Sequence, residues 1–220
     1  MIAYKFLAAG ATGPFTGFRW PVPELARPGA WVEAADGRAY HGVHACRPDD
    51  LAFWQDVELW RVELAEPVAA GQRQVVSARG RLLERVPAWN EELTRSFGEA
   101  CAWRARDRSV AALRMSGLHE EAELLARCTS LTGLHATSRE LSSRGGLPAD
   151  LAAYLTEAID FLLAGDSPCS TYISARSAVV ASGGRESEFA AERQGQARWL
   201  AERLGLEPTG APAVSGHPRP

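Results

Sequence analysis

The sequence predicts an α+β protein, with a small antiparallel β-rich N-terminal half followed by a helical C-terminal half. Two patterns carry this expectation. Residues 58–64 alternate with period two, whereas Leu151, Leu155, Ile159 and Leu162 recur at helical spacing. Strands come first and helices after, so the expected units are a β-rich subdomain at 1–87, a helical subdomain at 88–205 and a tail at 206–220. That tail holds four prolines and no periodicity, and is expected to be disordered.

Along the first half, Tyr4-Lys5-Phe6-Leu7 reads as a short opening strand. Trp31-Val32-Glu33-Ala34 precedes Asp36-Gly37, a hairpin turn pair, with Gly42–Cys46 as the returning strand or the loop after it. Residues 47–54 suggest a short helix with Pro48 in its first turn. In Glu58–Leu64, Leu59, Arg61 and Glu63 share one face and Trp60, Val62 and Leu64 the other. Residues 74–78 and 81–86 read as one long bent strand or two short ones, with Gly80 at the bend or a bulge.

The second half reads as helices. Asn90 can cap one that runs through Phe97, Cys101 and Ala105 until Ser116-Gly117 breaks it. A second spans about His119 to Cys128. Pro148 opens a third, which Gly165 ends. Ser167-Pro168 caps and starts a fourth, which stops at Gly183-Gly184. The last runs from about Glu186 to Leu204, with Gly205 as its stop.

Composition narrows the function classes. The 220 residues carry 24 Lys+Arg against 27 Asp+Glu. Charge is evenly spread, with 14 basic and 14 acidic residues before position 111 and 10 and 13 after it. No basic stripe is present to neutralise phosphates, so nucleic acid is not an expected partner. No segment reaches the roughly 20 apolar residues of a membrane helix. The opening apolar run is too short for a signal peptide, which points to a cytoplasmic protein. Four well-separated cysteines without a CxxC pattern fit free thiols. Lys5 is the only lysine, a bias that fits GC-rich, actinobacterial coding.

Leu7–Gly17 resembles a dinucleotide-binding glycine turn, and Glu33, 23 residues after Gly10, mimics its ribose-binding acid. That motif needs a helix between the two, and Pro21, Pro23 and Pro28 exclude one.

Four clusters could carry chemistry. Tyr40, His41, His44 and Cys46 crowd two imidazoles and a thiol, although no second ligand cluster completes a metal site. Glu99, Trp103 and Arg104 sit on one predicted helix. Arg19 lies between Phe18 and Trp20, as in an anionic or aromatic ligand site. Ser170, Ser174 and Ser177 recur at helical spacing with Tyr172 and Arg176, as close packing or a polar stripe. The expected pocket lies between the β-rich half and the first helices. His44 is the expected acid/base there, with Glu99 as a second catalytic group. Arg19, Trp20, Tyr40, Trp103 and Arg104 would bind a small organic substrate. No cofactor and no metal is expected, and the oligomeric state is open.

The segments 16–23, 42–48, 59–64, 99–107 and 199–207 resemble a family of actinobacterial proteins without an assigned activity. Residues 42–54, followed by 59–64, are more weakly similar to the ADP-ribosyltransferase-like fold. That likeness implies an NAD-consuming transferase, with Glu63 nominated by position alone. A non-catalytic interaction or immunity-type module, docking through its helical half, is the third reading.

Overall fold

The computed structural model describes residues 1–25, 27–33 and 42–206. The architecture is α+β, with antiparallel sheets in the N-terminal half and six helices in the C-terminal half. The tail beyond 206, Tyr40, His41 and the Asp36-Gly37 turn lie outside the described residues.

The strands are β1 (Ile2–Leu7), β2 (Val32–Glu33), β3 (Val43–Ala45), β4 (Glu58–Leu64), β5 (Val68–Ala70), β6 (Val75–Ser77) and β7 (Arg79–Arg85). They form one sheet in the order β1-β4-β7-β2 and another in the order β3-β6-β5. Residues 34–41, with the expected turn, are not among the described residues, and β2 and β3 on either side of them join different sheets. β2 pairs with β7 and β3 with β6. Only Ala78 separates β6 from β7, and Tyr4 and Cys46 exchange backbone hydrogen bonds at 2.9 and 2.7 Å. β6 runs on into β7 along the chain rather than pairing with it, so the pairs β1–β4, β4–β7 and β3–β6, together with the Tyr4–Cys46 bridge, close a ring through that continuous strand. A ring of this kind satisfies edge groups that an open sheet would leave bare.

Alternation sets what the ring encloses. Ala3 and Leu7 of β1, Trp60, Val62 and Leu64 of β4, Val43 and Ala45 of β3, and Leu82 of β7 form one buried cluster, which Ala11 and Trp20 complete. Gly80 is not the bend, which falls at Ala78. A Cβ at Gly80 would meet Val43 Cγ1 at 2.6 Å and Leu64 Cδ2 at 3.1 Å, so glycine is needed there for close packing. Leu83 is an extra residue against β4, because Arg61 pairs with Glu84 and Val62 with Leu82.

The turn that resembled a dinucleotide loop binds an anion of the chain itself. Gly10 and Ala11 both have positive φ, 72° and 55°, uncommon for alanine. Their amides donate to the two oxygens of Glu58 at 3.1 and 3.0 Å, and the Trp60 indole donates to the same carboxylate at 2.9 Å. Burial pushes the Glu58 carboxyl up, but these donors and the Arg85 charge outweigh it and hold the group below the usual carboxylate range.

The helices are α1 (Glu91–Met115), α2 (His119–Ala126), α3 (Leu131–Leu141), α4 (Gly146–Leu163), α5 (Ser167–Ala181) and α6 (Glu186–Arg203). Asn90 caps α1 by accepting from Leu93 N at 3.0 Å. Asp166, not Ser167, caps α5. Ser167 instead donates to Thr94 O on α1 at 3.1 Å. Neither α3 nor β5 has a sequence signal strong enough to predict it. One core joins α1–α4 through Leu113, Leu125, Leu134 and Leu155. A second lies at the seam, where Phe6, Leu51, Leu59 and Trp89 meet Phe97, Cys101, Ala197 and Leu200. Among the described residues no helix is long and apolar enough to cross a membrane.

Replacing Glu58 by Ala leaves three donors without their acceptor. Urea unfolding of Glu58→Ala is expected to show a loss of about 3 kcal/mol. A change within error would show that water replaces the carboxylate.

Candidate functional site

The residues singled out from the sequence fall into separate places. Val43 and Ala45 face the barrel interior, so the His44 side chain takes the opposite face of β3. There its Nδ1 lies 3.0 Å from Gln74 Oε1. Cys46 packs into the seam core, and burial pushes its thiol far up. Trp20 is a wall of the barrel core. On α1, Arg104 forms a two-pronged pair with Glu192 of α6 at 3.0 and 2.8 Å. Trp103 lies under the Arg106 guanidinium at 4.7 Å. No hydrogen bond or ion pair among the described residues joins His44, Glu99, Arg19 and Arg104 to one another. Glu63 pairs with Arg81 at 2.7 Å. Tyr40 is outside the described residues.

One unexpected group sits beside this set. Lys5 shares its strand face with Ala3 and Leu7 and so belongs to the barrel interior. Its ammonium donates to His44 O at 2.6 Å and lies 5.3 Å from the centre of the Trp20 ring. Burial lowers its pKa from 10.5 to about 8.

A cleft of about 310 Å³ opens at the seam, where the barrel's short 3₁₀ helix Pro48–Phe53 meets α4, α5 and α6. Phe53 from the barrel side, Phe161 of α4, and Tyr172 and Ile173 of α5 give it apolar and aromatic walls. Its polar groups are Gln55, Glu157, Cys169 and Arg193. A cleft of this volume is at the lower end of the range used for small organic ligands.

Arg193 decides what the cleft can do. It is 5% exposed. Its Nη1 donates to Gln196 Oε1 at 2.8 Å and to Thr171 Oγ1 at 3.3 Å, and its Nη2 donates to Ala52 O. All three acceptors are neutral, and Nε has no hydrogen-bond partner. A guanidinium has five N–H donors, so two remain open. Among the described residues no carboxylate lies within ion-pair distance of it. The carboxylate of Glu192, one residue earlier, is held by Arg104 and Arg108. Burial lowers the Arg193 pKa to about 10, which still leaves it charged at neutral pH. Its guanidinium also lies 5.3 Å from the Phe53 ring centre, and Arg73 lies 4.0 Å from the same centre.

The neighbouring thiol is held away from its thiolate form. Burial, a hydrogen bond with Asp166 and the charges of Asp166 and Glu157 all push Cys169 upward. What the cleft offers is a buried positive charge behind aromatic walls, a combination suited to holding an organic anion.

Sequence reasoning reached part of this site through the Ser167–Arg176 cluster but missed Arg193. A signal was available. Phe189, Arg193, Gln196 and Leu200 follow helical spacing, so two polar residues occupy the middle of the stripe that should face the core.

Comparison with protein-family models, curated proteins and solved structures finds no match for this chain.

Lys5 provides a test of the barrel interior. Between pH 8 and 10.5 the unfolded chain binds the proton more readily than the folded one. Folding stability from this group therefore rises with pH across that window and is complete above it. Urea unfolding of wild type and Lys5→Met is expected to show their difference moving toward wild type as pH rises through it. A flat difference would mean that the ammonium is hydrated in the folded protein.

Proposed function

We propose that this protein binds a small organic acid in the seam cleft, with Arg193 as the anion-binding group and Phe53, Phe161 and Tyr172 as the walls around its apolar body. The observation that carries this reading is the buried Arg193 guanidinium with neutral acceptors only. A buried charge without a counter-ion is costly. A carboxylate entering the cleft would supply the missing charge and accept the open N–H donors.

The expected small-molecule partner is kept in this proposal, but its place moves. The pocket anticipated around His44 has its residues on separate faces and elements, whereas the cleft gathers aromatic rings and one unpaired cation. The function proposed is binding, since every group described there holds or encloses a ligand. Any chemistry would have to come from the ligand or from groups brought to the cleft with it.

Isothermal titration with 3-phenylpropionate tests the reading. Wild type is expected to bind it, with Arg193→Gln at least about tenfold weaker, a loss on the scale of one charge-assisted contact. Arg193 also ties α6 to the barrel, so a second variant leaves it in place. Ile173→Trp, which fills the cleft, is expected to abolish binding. His44→Ala is expected to bind as wild type does. Equal affinity in wild type and both cleft variants, or no binding to wild type, would overturn the proposal.

A further inference from the structure

The cleft also carries an unpaired charge of the opposite sign, and this second group narrows the ligand. Glu157 of α4 and Arg193 of α6 both line the cleft. Among the described residues neither has an ion-pair partner, and they do not pair with each other. Other charges of the helical half are paired. Arg176 pairs with Glu186, and Arg114 with Glu123. The cleft thus holds one negative and one positive group apart, on different helices.

A simple organic acid satisfies only half of this arrangement. Its carboxylate would neutralise Arg193, while Glu157 would face it as a like charge across a small, apolar-walled space. A ligand bearing a cation near Glu157 turns that repulsion into attraction. The rings of Phe161 and Tyr172 belong to the same lining, and they favour a flat apolar side chain beside the charged end of the ligand. The volume of about 310 Å³ fits a molecule of one ring and a short chain.

Resting on the organic-acid reading above, we propose that the ligand is a zwitterion with an aromatic side chain, an aromatic amino acid or a close derivative. Its carboxylate lies on Arg193 and its ammonium on Glu157.

The test compares three probes on the full chain by isothermal titration: L-phenylalanine, 3-phenylpropionate and 2-phenylethylamine. They share a ring and differ in which charges they carry. Wild type is expected to bind phenylalanine about tenfold more tightly than phenylpropionate. Glu157→Gln is expected to remove that advantage and to tighten phenylpropionate binding, because the like charge facing its carboxylate is gone. Glu157 is exposed and without an ion-pair partner, so this substitution does not threaten the fold. Phenylpropionate binding as tightly as phenylalanine, or a Glu157→Gln variant that keeps the preference, overturns the zwitterion. The organic-acid reading survives either result provided that phenylpropionate binding still depends on Arg193. Tighter binding of phenylethylamine than of both acids, or no binding of any probe, overturns both.

Discussion

A buried guanidinium without a carboxylate must take its oxygens from wherever the chain can present them. In this protein Arg193 takes one from each of three elements. Gln196 belongs to its own helix, Thr171 to α5, and the carbonyl of Ala52 to the 3₁₀ helix of the barrel half. The barrel and the helices therefore meet around a charge as well as around an apolar core. Gln55 adds to the same knot by donating to Ala52 O at 2.9 Å and Thr171 Oγ1 at 3.0 Å. These directional bonds fix the relative position of the two halves more narrowly than apolar packing does. The cleft beside them has its shape for that reason.

The barrel shows the same economy with charge. Glu58 and Lys5 lie on neighbouring strands, and neither uses the other. Glu58 is held by backbone amides and an indole, and its negative charge is stabilised there. Lys5 has a single carbonyl and the face of Trp20, and its charge is disfavoured. The difference follows from donor and acceptor count. Three N–H groups converge on the carboxylate, whereas the ammonium, with three hydrogens to place, finds one oxygen.

What could be read from the sequence follows from the range of the interactions involved. The alternation of Glu58–Leu64 and the stripe from Leu151 to Leu162 are local patterns, and both elements formed as read. Asn90 is a local signal too, and it caps α1. Strand pairing is not local. β3 pairs with β6, far along the chain, and Cys46 just after it pairs with Tyr4. Helix α3, rich in Ser, Thr, Gly and His, has weak intrinsic propensity. It forms because Ser130 caps it and Leu134 and Leu141 are buried against the bundle. The candidate site was legible only in part. The pocket expected at His44 depended on which face of the strand turns inward, and that is set by Val43 and Ala45 filling the barrel.

The position of the cleft follows from how the helices meet. The buried residues of α5 are Ser167, Ser170, Thr171, Ser174, Ala175, Ser177, Ala178 and Val179, mostly small, so this helix comes close to its neighbours and spends little volume on them. Tyr172 and Ile173 turn the other way, into the cleft. Close approach on one side thus leaves large side chains to face a gap on the other. On α6, Gly195 works similarly. A Cβ there would lie 2.8 Å from Arg104 Nη2, so its absence admits the arginine that occupies Glu192. Neighbouring residues on a helix do not face each other, so Glu192 turns to Arg104 and Arg108 while Arg193 turns to the cleft.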